Sequence, residues 1–392
     1  MATVFREEAG RLTAWLTRTL GDFCLAQDIV QDALLVALEQ WSAQGLPDCP
    51  RAWLQTVARR RAIDRVRREA RYREKLARLD APIPQDPDNR LELIFMCCHP
   101  ALARDAQIAL TLRAVCGLST SEIARAFVVA EATVAQRNVR ARRKIVSAGI
   151  PYRVPQPDEL DARLAQVLAV LYLMFNEGYL ARGGQLVARR DIAEDAAWLA
   201  ALVVRLFPRE PEPLGLLALM RVHLARAAGR FGPDGQLVLL RDQDRRRWDR
   251  AAIAESVALI ERAASLGRPG PYQLQAAIAA CHAEAPSWTA TDWPQILILY
   301  DMLEQLAPSP VARLNRAVAL RHVAGPELAQ AELQALAPEL DGYYLFHAVY
   351  AEILLELGER EQARAAELRA LGLTANPAEQ SLLRRRIAAE AC

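Results

Sequence analysis

Apolar residues recur at helical spacing along almost the whole chain, and proline and glycine interrupt that spacing at only a few places. Ala- and Leu-rich stretches with apolar residues at i, i+3 and i+4 build amphipathic helices, whereas strands need alternation. Alternation is suggested only at Gln236–Leu240, so the expected fold class is all-α. Leu79-Asp-Ala-Pro-Ile-Pro-Gln-Asp-Pro-Asp-Asn89 has three prolines, three aspartates and no apolar period, which reads as an extended linker. Gly149-Ile-Pro-Tyr-Arg-Val-Pro-Gln-Pro157 is a second break. These breaks predict domains at 1–79 and 91–149, a linker at 80–90, and a C-terminal helical domain at 155–392.

Hydrophobic residues make up 52% of the 392, enough to fill real cores, so a wholly disordered chain is excluded. Seven cysteines without a C-x-x-C pair argue against both a disulfide framework and a structural zinc site. The segment Met1-Ala-Thr-Val-Phe-Arg-Glu-Glu8 has no apolar signal region. The apolar run Val167–Phe175 is far short of the roughly 18–20 residues of a membrane span. A cytoplasmic protein without membrane association is expected.

The net charge of +2 hides a segregation. Residues 1–150 carry 23 Arg/Lys against 17 Asp/Glu, a net of +6, and the remainder carries 26 against 30, a net of −4. Eleven basic groups crowd residues 51–78, and Arg137, Arg140, Arg142, Arg143 and Lys144 form a second cluster. Two compact basic patches on predicted helices read as a footprint for a polyanion. Residues 1–50 are acidic, with three Arg against seven carboxylates.

Helices are predicted near Phe5–Leu20, Leu25–Trp41 and Arg51–Leu79. On the third, Trp53, Leu54, Val57, Ala58, Ile63 and Val66 form an inner stripe with the arginines outward. Ser119-Thr-Ser-Glu122 is a capping box opening a helix through Phe127. A turn at Val128–Glu131 then leads to a helix from about Ala132 to Ser147. Val134, Asn138, Ala141 and Ile145 share one face of that helix; Thr133, Gln136, Arg137, Arg140 and Lys144 occupy the other. This is the division a DNA recognition helix needs. Further on, the sequence predicts helix pairs that end at Pro308–Pro310, Pro338 and Pro377, a spacing that resembles tetratricopeptide-like repeats. Leu160–Leu240 repeats poorly and reads as a separate helical subdomain.

Several segments resemble regions 2 and 4 of an extracytoplasmic-function sigma factor of the sigma-70 family. They are Ala26-Gln-Asp-Ile-Val-Gln-Asp-Ala33, Pro50-Arg-Ala-Trp-Leu-Gln-Thr-Val-Ala58 with Ala62-Ile-Asp-Arg-Val-Arg-Arg68, Leu118-Ser-Thr-Ser-Glu-Ile-Ala124, and Thr133-Val-Ala-Gln-Arg-Asn-Val-Arg-Ala-Arg-Arg-Lys-Ile145. Leu93–Pro100, Leu171–Tyr179, Leu237–Arg245 and Gly270–His282 resemble the subgroup with a long tetratricopeptide-like extension, whose genes neighbour DGPF-motif proteins. The resemblance implies a region 2 bundle, a region 4 helix-turn-helix and a regulatory C-terminal domain.

It also implies site residues. Asp28, Ile29, Val30, Gln31, Asp32 and Leu35 would dock on the β′ clamp helices of core RNA polymerase, with the β flap as the second contact. Ile29, Val30 and Leu35 can equally be read as plain core. Trp53, Arg59, Arg60, Arg61, Asp64, Arg65, Arg67 and Arg68 would serve the minus-10 element, where holding a flipped base offsets the cost of unstacking. Trp53 shares the apolar stripe and reads first as a core anchor. Thr133, Gln136, Arg137, Arg140, Arg143 and Lys144 would serve the minus-35 element. The chain departs from the family where many members carry Asn, at Arg59 or Arg60, and where they commonly carry leucine, at Asn138. No cofactor, metal or catalytic residue is expected, and Cys97-Cys98-His99 reads as buried helix packing. A regulatory protein at the repeats is an expected partner. The competing reading is a helix-turn-helix regulator with a tetratricopeptide sensor, which would need no promoter-melting helix.

Overall fold

The structure, a computed structural model, describes residues 2–66, 90–127, 129–179, 186–232 and 236–390. Its regular elements are helical, apart from a single antiparallel bridge between Phe231 and Leu237 where alternation had suggested a strand. The chain forms two compact units, Met1–Tyr179 and Leu180–Cys392.

The first unit begins with α1 (Ala2–Leu20), α2 (Phe23–Gln44) and α3 (Pro50–Val66). Asp22 caps α2, its Oδ1 accepting from the Leu25 amide at 3.0 Å, and Gly45 at φ 84° ends it. On α3 the buried residues are Leu54, Ala58, Ala62 and Val66, spaced four apart as a helix facing one core requires. They meet Leu12 and Leu16 of α1 and Ile29, Val30, Ala33, Ala37 and Trp41 of α2. Trp41 lies between Phe5 and Trp53, with ring centroids 5.3 Å from each.

The same unit continues with α4 (Arg90–Cys97), α5 (Arg104–Ala114), α6 (Thr120–Phe127), α7 (Glu131–Ser147) and α8 (Pro157–Tyr179). The run Val167–Phe175 is explained here. Leu164, Val167, Leu168, Leu171, Met174 and Phe175 are buried on α8, which packs on α4 and α5. Arg163 fixes the helix by donating to the Phe95 carbonyl at 2.6 Å. The boundary between units therefore falls one helix beyond the Gly149–Pro157 break.

The second unit contains α9 (Leu186–Leu206), α10 (Pro211–Ala225), α11 (Arg250–Ser265), α12 (Pro271–Glu284), α13 (Trp293–Leu306), α14 (Pro310–Ala324), α15 (Pro326–Leu340), α16 (Tyr344–Glu356), α17 (Arg360–Leu373) and α18 (Pro377–Glu390). From α13 onward each helix packs chiefly on the next, the quasi-linear order of helical arrays. The prolines act at helix starts, where the missing N–H costs nothing: Pro271, Pro310, Pro326 and Pro377 open helices. Pro338 ends none, because α15 runs through it to Leu340. Arginines link neighbours: Arg316 bonds Asp301 and Glu332 at 2.6 Å each, and Arg386 bonds Glu367 and Glu352 at 2.8 Å each.

Two sequence segments singled out above meet in this unit. Arg245 donates to the carbonyls of His282 and Ala285, and Arg250 to that of Ala283, so cations cap the C-terminal end of α12. The Arg226, Arg245 and Arg250 guanidinium groups surround the Trp248 ring at 4.8–5.9 Å. Burial, reinforced by Arg226, pushes His223 down to about 3 and His282 to about 4. Both fall below the unfolded value of roughly 6.5, so both imidazoles are neutral when folded. Their contribution is complete above pH ~6.5 and is lost as pH falls toward 4, by up to about 2 kcal/mol each at pH 5. Thermal melting of this unit at pH 7 and pH 5 checks this; an unchanged transition would contradict it.

Candidate polymerase and promoter interfaces

Helix α2 divides its predicted docking residues. Ile29 and Val30 are each 1% exposed and belong to the core, in line with the plain-core reading of these two side chains. Asp28 is exposed, Gln31 and Asp32 are half-buried, and Leu35 is 58% exposed. Leu38, one turn further along α2, is a second exposed leucine. An apolar strip bordered by carboxylates is suited to a basic partner with an apolar centre.

Helix α3 turns its arginines away from the core. Arg60, Arg61, Asp64 and Arg65 are exposed, and Arg59 is half-buried. Arg65 lies 3.6 Å from Asp32, an open pair that holds neither group strongly. Trp53 is half-buried against Trp41, which makes it a structural anchor of this surface. Arg67 and Arg68 lie outside the described residues.

The helix-turn-helix forms as its capping box dictates. The Glu122 amide donates to Ser119 Oγ at 3.2 Å, and the Ser119 amide donates to Glu122 Oε2 at 2.7 Å. On α7 the buried residues are Val134, Asn138, Ala141 and Ile145. Gln136, Arg140, Arg143 and Lys144 are exposed, and Thr133 and Arg137 half-buried. Arg137 is bonded to Asp105 of α5 at 2.8 Å. Arg142 escaped the sequence reading: its Nε donates to Gln27 Oε1 at 2.8 Å and its Nη1 to Asp28 Oδ1 at 2.9 Å. Charge alone placed it with the other basic residues of α7, and no local signal marks a partner 114 residues away.

Asn138 is 5% exposed, and both polar atoms of its amide lack a hydrogen-bond partner among the described residues. A buried unsatisfied group costs about 1–3 kcal/mol. Asn138→Leu, which keeps the branched shape and removes the unpaired polar atoms, is therefore expected to stabilise this unit by about 1–2 kcal/mol. A higher urea midpoint at unchanged slope checks it; a lower midpoint would show that the amide has a partner.

Cys97 and Cys98 are buried, and burial raises both thiols, Cys98 to about 12. Protonated thiols inside a core are poor nucleophiles and poor metal ligands. His99 Nδ1 accepts from the Ala101 amide at 3.1 Å, and Gln107 donates to the carbonyls of Cys98 and His99. The run is packing.

The same segments are similar to known proteins. Residues 4–72 match Sigma-70 region 2 and residues 92–145 match Sigma-70, region 4. The ECF RNA polymerase sigma factor SigL of Mycobacterium tuberculosis is 36% identical over 148 residues, covering 35% of this chain and 81% of SigL. The chain belongs to the extracytoplasmic-function sigma factors. The ferric citrate uptake sigma factor FecI of Escherichia coli is 34% identical over 123 residues, 29% of this chain and 70% of FecI. An uncharacterized protein of Rhizobium meliloti is 43% identical over 383 residues, 94% of this chain and 90% of its own length, so the extension is shared. Residues 163–264 match a family of unknown function (DUF6596), which starts within α8 and so spans the end of one unit and the start of the next. A sigma factor is a non-enzymatic initiation factor that binds core RNA polymerase and promoter DNA. No helix among the described residues is long and apolar enough to cross a membrane.

Proposed function

We propose that this sigma factor docks on the β′ clamp helices through Asp28, Gln31, Asp32 and Leu35 and contacts the β flap through region 4. In this reading Arg59, Arg60, Arg61 and Arg65 of α3 hold phosphates around the minus-10 element, joined by Arg67 and Arg68. Thr133, Gln136, Arg137, Arg140, Arg143 and Lys144 serve the minus-35 element, with Gln136 and Arg140 at base edges. The observation carrying the proposal is the separation on α2, α3 and α7 of a buried apolar stripe from an exposed polar or basic one. A regulator that only binds DNA would need α7 but not the arginine face of α3, which argues against the simpler reading.

The 180–392 unit modulates polymerase engagement in this proposal, as a helical array able to hold a regulatory protein. The truncation that tests it ends after Tyr179, because α8 packs on region 4 and belongs with it. Removing residues 180–392 is expected to change promoter-specific output or core affinity severalfold. Unchanged output together with unchanged affinity would refute a modulating role.

A further inference from the structure

The basic residues of α7 are held in different ways. Arg140, Arg143 and Lys144 are exposed, and among the described residues none of them pairs with a carboxylate. Arg137 leaves the helix at the border of its docked face, between the buried Val134 and Ala141, and its side chain is 31% exposed. Its Nη2 lies 2.8 Å from Oδ2 of Asp105, in the first turn of α5. Both side chains line a cavity with Ile108, Ile123, Phe127 and Glu177 of α8. The apolar side chains there offer a guanidinium no acceptor, and of the two carboxylates Asp105 is the one paired with Arg137. Asp105 therefore decides where Arg137 points.

The pair does little for the fold. Asp105 is 65% exposed, and ion pairs so open to water add little stability. Its consequence is geometric. A guanidinium is a planar fork of five N–H donors, so a carboxylate on one nitrogen fixes the plane and leaves donors over. A side chain held before binding loses less conformational freedom on binding. Arg137 stands in the N-terminal half of α7, the part of a recognition helix that meets base edges. Arginine on O6 and N7 of guanine is the commonest specific contact in the major groove. A guanidinium already partly neutralised by a carboxylate is drawn less to phosphates, so its contact favours discrimination over affinity.

We infer that Asp105 is a positioning residue for minus-35 recognition, holding the Arg137 guanidinium toward a guanine edge. The inference rests on the proposed role of Arg137 and adds it to Gln136 and Arg140 as a base-edge side chain. Asp105 acts through Arg137. A carboxylate in the first turn of a helix also meets the helix dipole, so the test reads stability alongside base preference.

Holoenzyme is reconstituted from core RNA polymerase and the full chain, as wild type, Asp105→Asn, Arg137→Ala and the double variant. Each is titrated with a promoter fragment selected by the wild-type holoenzyme, and with fragments in which each minus-35 base pair is replaced in turn. Arg137→Ala is expected to lower discrimination at one G·C pair about tenfold or more. Asp105→Asn should lower it at the same pair by about three- to tenfold, with the other pairs and the salt slope unchanged. The double variant should be no worse than Arg137→Ala, and the urea midpoint of Asp105→Asn should match wild type. An unchanged base profile in Asp105→Asn, or losses that add in the double variant, would overturn the inference. So would an equal change in affinity for every fragment, because a carboxylate that serves only the fold, or only repels phosphates, acts on all sequences alike. An Arg137→Ala variant that keeps the whole wild-type profile would instead overturn the proposed role of Arg137.

Discussion

Trp41→Ala is expected to cost region 2 about 3–5 kcal/mol and with it polymerase binding at physiological temperature. Trp41 is 3% exposed and joins all three helices of the bundle, touching Phe5 of α1 and Trp53 of α3. Whole domains hold only about 5–15 kcal/mol, so this loss removes much of the margin. Denaturant unfolding should show the transition of the first unit moving to lower urea while that of residues 180–392 stays. The Trp41 indole N–H has no partner among the described residues. Trp41→Phe, which deletes that group and keeps a ring, should therefore be much milder. A Trp41→Ala loss below about 1 kcal/mol would mean that the bundle does not depend on this contact.

The second large effect is electrostatic and leaves the fold alone. Arg60, Arg61 and Arg65 are exposed, and surface substitutions of this kind usually change stability by less than about 0.5 kcal/mol each. In the holoenzyme each lost phosphate contact should reduce the slope of log affinity against log salt by about 0.9. Replacing all three by alanine is then expected to lower the slope by about 2–3 and promoter affinity by on the order of a hundredfold at 0.15 M salt. The deficit should grow as salt is lowered, because fewer counterions are released. An unchanged slope would mean that this face does not meet DNA.

What the sequence reveals and conceals follows from how local each signal is. The capping box Ser119–Glu122 and the buried row Val134, Asn138, Ala141, Ile145 were legible because both are set by spacing within one helix. Ile29, Val30 and Leu35 were not separable in sequence. Helix α2 is apolar on several sides, and only the placement of α1 and α3 decides that the first two are core and the third exposed. Pro338 read as a helix end because proline usually punctuates, yet it lies in the last turn of α15. The allegiance of α8 to region 4 and the reach of Arg142 to Asp28 are tertiary facts, without a signature in either segment. Spacing puts the polar Asn138 on the docked face of its helix, and the structure adds that its amide has no hydrogen-bond partner among the described residues.

On the proposed function, this chain recruits core RNA polymerase to promoters. Run-off transcription from DNA fragments selected by binding to the reconstituted holoenzyme tests it most directly. A discrete product is expected only when this chain is added to core enzyme, and its loss is expected with Arg60, Arg61 and Arg65 replaced by alanine. Promoter-independent output, the same with and without the chain, would contradict it.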